Sequence, residues 1–134
     1  MNEASKPADA RSPKTWLVQA RSDLTLAQGA RHIEDVLPEH VAFHCQQCVE
    51  KAIKAVLLSH NAPFRPTHNI QALIDLCEKS GLDVPEVLEE SVGLTPYAVD
   101  GRYLDLVEPV SESDVDRAIE LAAAVLSWAQ SQIG

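Results

Sequence analysis

No run of about 18 uninterrupted apolar residues occurs in the chain, which excludes a membrane-spanning helix. The first thirteen residues, MNEASKPADARSP, lack the apolar core of a secretory signal, so the expected location is the cytoplasm. Basic residues are scarce. Eleven Lys and Arg face twenty Asp and Glu, a formal net charge of -9 that repels a phosphate backbone at long range and argues against generic DNA binding. A local basic patch can still hold a nucleotide. The cysteines Cys45, Cys48 and Cys77 are odd in number, and without an export signal free thiols are expected rather than a disulfide framework. There is no glycine-rich phosphate loop, no G-x-S-x-G elbow and no H-E-x-x-H zinc helix. A self-contained enzyme is therefore disfavoured, no catalytic residue is assigned, and no cofactor is implied.

What is present is helical. A length of 134 residues with 46% apolar content fits one domain with a real core. Met1 to Pro13 is polar and aperiodic and reads as a flexible tail. Trp16, Leu17, Ala20, Leu24, Ala27 and Arg31 then recur at steps of three or four, with Thr15 or Ser12 available as a cap and Gly29 near the end. Pro38 opens a long helix over about Glu39 to Ser59, whose stripe of Val41, Cys45, Cys48, Ala52 and Val56, flanked by Val49, Ile53 and Leu57, is wide enough to face two neighbours. The two prolines of NAPFRPTH (61–68) make a connector. A short helix carries Ile70, Leu73, Ile74 and Cys77, with Asn69 or Thr67 as cap and Gly81 as stop. Pro85 starts a fourth, weakened later by Gly93 and Pro96, and Val99 to Pro109 reads as an irregular loop. From Ser111 or Ser113, the residues Val115, Ala118, Ile119, Ala122, Val125, Leu126 and Ala129 form the apolar face of a last helix. Nothing alternates at period two, so the expected fold is all-α, an antiparallel up-and-down bundle of four to five helices.

The long helix also has a polar side. His40, His44, Gln47, Lys51 and Lys54 follow at three- or four-residue steps, with Glu50 beside them. The plain reading is a solvated face on which Glu50 pairs with Lys54. The sharper one is a partner surface or a phosphate contact through Lys51 and Lys54. His40, His44 and Cys48 have the step of helical zinc ligands, but one helix alone supplies them and structural zinc takes four, so no metal is assigned. Cys45-Gln46-Gln47-Cys48 is a C-x-x-C lying mid-helix, away from the helix N-terminus that would activate a thiol. In the connector, His68 either caps and packs or acts as an imidazole. In the late loop, Arg102, Tyr103 and Asp105 either tie the bundle end together or contact a nucleotide, guanidinium to phosphate and ring to base.

These residues resemble the HEPN domain family, the helical domains encoded beside minimal nucleotidyltransferases. The resemblance runs through Trp16-Leu17, Ala20, Asp23-Leu24 and Ala27, then the distinctive F-H-x-Q-Q-x-x-E-K-x-x-K-A of residues 43–55. His68-Asn69-Ile70 with Leu73, Leu94-Thr95, Tyr97, Arg102-Tyr103 and the alanine-rich last helix complete it, over residues 14–132. It implies a bundle like the C-terminal domain of kanamycin nucleotidyltransferase, commonly dimeric, with Cys45 and Cys48 where small packing residues are usual. It further implies a nucleotide- or partner-binding subunit of a toxin-antitoxin-like pair, a homodimer working with a separate minimal nucleotidyltransferase. The residues nominated for contact are His44, Gln47, Lys51, Lys54, His68, Arg102 and Tyr103. Many relatives are ribonuclease toxins in which an Arg precedes a His by four to six residues. Here Arg102 is followed by no histidine, so a metal-independent ribonuclease of divergent centre is the alternative rather than the leading expectation.

Overall fold

The computed structural model describes residues 12–98 and 109–133. The proposed tail up to residue 11, and the late loop with Arg102, Tyr103 and Asp105, lie outside the described residues. Among the described residues five α-helices follow one another: α1 (Pro13–Ala30), α2 (Pro38–Ser59), α3 (Ile70–Lys79), α4 (Glu86–Ser91), which runs on as a 3₁₀ segment over Val92–Ala98, and α5 (Glu112–Ile133). No strand occurs among the described residues.

Local chemistry explains where each helix starts. Ser12 caps α1, its hydroxyl accepting from the Thr15 amide at 3.1 Å, and Pro13 takes the first helical position, where its missing N–H costs nothing. Pro38 does the same for α2. Asn69, rather than Thr67, caps α3 by accepting from the Ala72 amide at 3.1 Å. At α5 the Ser111 hydroxyl accepts from the Asp114 amide at 3.1 Å while Asp114 Oδ2 accepts from the Ser111 amide at 3.0 Å, a reciprocal box that satisfies two orphan donors. Gly81, with φ +85, supplies the left-handed turn that ends α3, a conformation a side chain would resist.

The helix directions follow from cross-contacts. Asp23 meets His44 and Lys51 while Trp16 meets Lys54, so early α1 faces late α2 and the two run antiparallel. Cys48 Sγ lies 3.7 Å from the Ala122 carbonyl, and Val41 and Val115 line one cavity, so α2 and α5 run the same way. Arg31 at the end of α1 reaches Glu112 and Asp116 at the start of α5 and closes that end. The core lies along α2, which packs against α1 and α5. Val41, Val49, Ile53, Val56 and Leu57 of α2 are at most 2% exposed, and Ile70, Leu73, Ile74 and Leu88 close the core from α3 and α4. Ala20, Ala27, Ala42, Cys45, Cys48, Ala52, Ala118 and Ala122 are fully buried, so small side chains let the three long helices approach closely. Truncating any one of the large core residues to alanine would cost about 2–5 kcal/mol.

Candidate functional site: the inward-turned polar face of α2

His40, at the start of the polar side of α2, is exposed, but the part from Gln46 to Lys54 does not lie in water as the plain reading expects. Gln46 is fully buried, Glu50 is 3% exposed and Lys54 is 6% exposed. The cause is sequence-distant: α1 and the connector fold over this side and bring Trp16, Phe64 and His68 onto it. Periodicity reports which residues share a face, and it is silent on what arrives from elsewhere to cover that face.

Two carboxylates organise the site. Glu50 accepts from Lys54 Nζ at 2.7 Å, from Gln46 Nε2 at 3.0 Å and from His68 Nδ1 at 3.0 Å. Burial alone would push the Glu50 carboxyl up, but the hydrogen bonds from Lys54, His68 and Gln46 outweigh it and hold the group below its ordinary value. Gln46 also donates to the His68 carbonyl at 3.3 Å, and its oxygen accepts from Gln47 Nε2 at 2.7 Å, so the buried amide is satisfied at both ends. The Lys54 ammonium stands 5.5 Å from the Trp16 ring centroid and 5.7 Å from that of Phe64, and the two rings meet edge to face at 6.5 Å. Trp16 Nε1 is buried and has no acceptor among the described residues.

Asp23 on α1 makes the second centre. Its Oδ2 accepts from Lys51 Nζ at 2.8 Å and its Oδ1 lies 3.0 Å from His44 Nδ1. An ionised carboxylate only accepts, so in each pair the imidazole hydrogen sits on Nδ1, and in a neutral ring Nε2 is left as the acceptor. Of the two imidazoles, His68 is 59% exposed along its side chain and His44 is 31% exposed. The site therefore presents two oriented histidine edges to solvent while its ammonium groups point inward.

The cysteines take no part in this chemistry. Burial first of all pushes Cys45 and Cys48 up to about 12 and Cys77 up to about 11, so the mid-helix C-x-x-C packs as two small hydrophobes.

The order of these pieces along the chain matches a known domain. The HEPN domain model aligns with residues 13–132. The chain belongs to the HEPN family. Among solved structures, this HEPN chain is similar to TT1696 from Thermus thermophilus, with 30% identity and a TM-score of 0.74 over 91% of this chain and 98% of that one. It is also similar to ST0689, an archaeal HEPN homologue, with 29% identity and a TM-score of 0.72 over 92% of this chain and 98% of that one. No curated protein matches the sequence.

Of the contact residues nominated from the sequence, the HEPN fold brings His44, Gln47, Lys51, Lys54 and His68 to one side of α2, whereas Arg102 and Tyr103 lie outside the described residues. The Glu50–Lys54 pair is expected from the i, i+4 spacing, but sequence reasoning missed Asp23 and Gln46, and missed Glu50 as the partner of His68. A signal for Asp23 existed: it falls among Ala20, Leu24 and Ala27 on the buried stripe of α1, where an acid needs a cation. Gln46, Glu50 and Lys54 likewise form an i, i+4, i+8 ridge between Val49, Ile53 and Leu57.

Proposed function

We propose that this HEPN domain is a binding subunit that works as a homodimer alongside a separate minimal nucleotidyltransferase, in a toxin-antitoxin-like pair. It would meet a nucleotide or the partner's polar groups at the edge formed by His44 and His68. Gln47, Lys51 and Lys54 stand behind that edge, and Arg102 and Tyr103 are the further contacts that the sequence nominates. The observation that carries the proposal is the pairing of both imidazoles through Nδ1 to Asp23 and Glu50, which fixes their outer edges for recognition. Support for self-association comes from α1, where Val18 is 64% and Leu26 is 51% exposed beside an open groove of about 430 Å³ that also involves Arg21, Ser22 and Thr25. Co-purification with a nucleotidyltransferase encoded nearby, together with calorimetric titration of nucleotides, tests the reading. A chain that is monomeric by light scattering removes the dimer, and no nucleotide affinity with or without the partner removes the pocket.

The same Nδ1 pairing favours one second reading. A carboxylate behind an imidazole is how a general base is oriented, so His44 or His68 together with Arg102 could serve a divergent ribonuclease. Growth arrest on expression that is relieved by His44→Ala or His68→Ala would support it. Intact cellular RNA after induction would sink it.

A further inference from the structure

A cavity opens between the connector and α3. It holds about 720 Å³ and is lined mainly by apolar groups, among them Phe64, Pro66 and Leu76. That volume falls within the range of pockets that take small organic ligands, roughly 300–1,000 Å³. Two cations, Arg65 and Lys79, stand on its wall with a single acid, Asp75, whose carboxylate already accepts from Gln71 at 2.9 Å.

Arg31, Lys51, Lys54 and Arg117 are ion-paired, whereas Arg65 and Lys79, like Lys14 and Arg21, have no ion-pair partner among the described residues. The side chains of Arg65 and Lys79 are exposed, so they can reach an occupant without first leaving a carboxylate. An apolar floor with one aromatic ring, rimmed by two unspent cations, is complementary to a molecule that joins a flat apolar body to an anionic group.

We infer that this pocket binds a small aromatic anion, with its ring against Phe64 and Leu76 and its carboxylate, sulfonate or phosphate between Arg65 and Lys79. The inference does not depend on how His44 and His68 are used. The probe is anilinonaphthalene sulfonate, an aromatic anion whose fluorescence rises on binding, titrated into the full chain beside its uncharged counterpart phenylnaphthylamine. The sulfonate should bind saturably at one site. The charge-reversed double variant Arg65→Glu/Lys79→Glu should weaken it by about tenfold or more and leave the neutral dye unchanged. Both positions are exposed, and an unchanged thermal midpoint for the double variant confirms that the fold is intact.

Competition identifies the source of the anion. Displacement of the dye by adenosine monophosphate alone points to a nucleotide, and displacement by indole acetate alone points to an aromatic carboxylate; either outcome supports the pocket. Displacement by neither, sulfonate binding that does not saturate, or affinity that is unmoved in the double variant would overturn the inference.

Discussion

Glu50→Gln keeps the shape of the side chain and removes its charge, so it isolates what the buried pair contributes. In the native protein Lys54 Nζ lies 2.7 Å from Glu50 Oε2, and the two side chains are only 7% and 4% exposed. After the substitution the ammonium stays out of water with a neutral amide oxygen, the Trp16 ring and the Phe64 ring as its company. Removing one partner of a buried pair costs about 3–5 kcal/mol, and the retained amide acceptor places this case near the lower end, about 3 kcal/mol. Domains of this size hold roughly 5–15 kcal/mol in all, so the variant should fold and unfold measurably earlier in urea. Lys54→Met alone should cost about 2 kcal/mol, because Glu50 keeps Gln46 and His68 as donors. The double variant should then cost less than the two singles together by at least about 1.5 kcal/mol, the signature of a coupled pair. Circular dichroism along urea gradients measures all four corners of the cycle. A loss below about 0.5 kcal/mol for Glu50→Gln, the size typical of an exposed pair, or singles that simply add, would refute the claim that this face of α2 is closed to water.

The acid limb of stability provides a related test. Because the Glu50 carboxyl is held below its ordinary value of 4.5, its contribution is fully present above that pH and is lost as the pH falls through the folded value. The gap between wild type and Glu50→Gln should therefore shrink as the pH drops below 4.5, and a constant gap would contradict the assignment. At Gly81, where φ is +85 and an added Cβ would meet nothing within 4 Å, Gly81→Ala should cost about 1 kcal/mol from the backbone alone, and a neutral or stabilising result would count against the turn. With their thiols raised to about 12, 12 and 11, Cys45, Cys48 and Cys77 should resist Ellman's reagent at pH 8 until urea unfolds the chain. Rapid labelling of the native protein would show one of them to be accessible.

The bundle was legible because its helices carry their own punctuation. Ser12, Asn69 and Ser111 are caps that act within three or four residues, and the prolines at 13, 38 and 85 set helix starts by their fixed φ. The stripe from Val41 to Leu57 needed only the helical period to be assigned to the core. The site was less legible because its burial is a tertiary fact. Nothing local to Glu50 or Lys54 says that Trp16, from an earlier helix, and Phe64, from the connector, will cover them. A Glu and a Lys at i and i+4 read the same whether they face water or two aromatic rings. The histidines stand out for their chemistry, whereas Asp23 carries no local sign of which side chain it orients and the spacing of Glu50 points only to Lys54, not to His68 from the connector.

Charge balance within the cluster constrains what it can bind. Asp23 and Glu50 supply two negative charges, and Lys51 and Lys54 supply two positive ones, each ammonium committed to a carboxylate at 2.7–2.8 Å. With neutral imidazoles the cluster has no surplus positive charge to offer a phosphate. Drawing Lys51 outward would strand Asp23, which is only 9% exposed, beside His44 alone. A nucleotide held at this edge must therefore find its countercharge elsewhere, and Arg102 is the residue that the sequence nominates. Arg102→Ala should lower nucleotide affinity by about tenfold or more, as expected for a lost charge-assisted bond of about 1.5–3 kcal/mol, with no change in unfolding midpoint. Lys51→Ala should act the other way round, lowering stability by about 1–3 kcal/mol because it leaves a largely buried carboxylate without its ammonium. If Arg102→Ala bound nucleotide as tightly as wild type while Lys51→Ala lost binding with its stability intact, the ammonium would be free to turn outward, and the inward-paired description of α2 would be wrong.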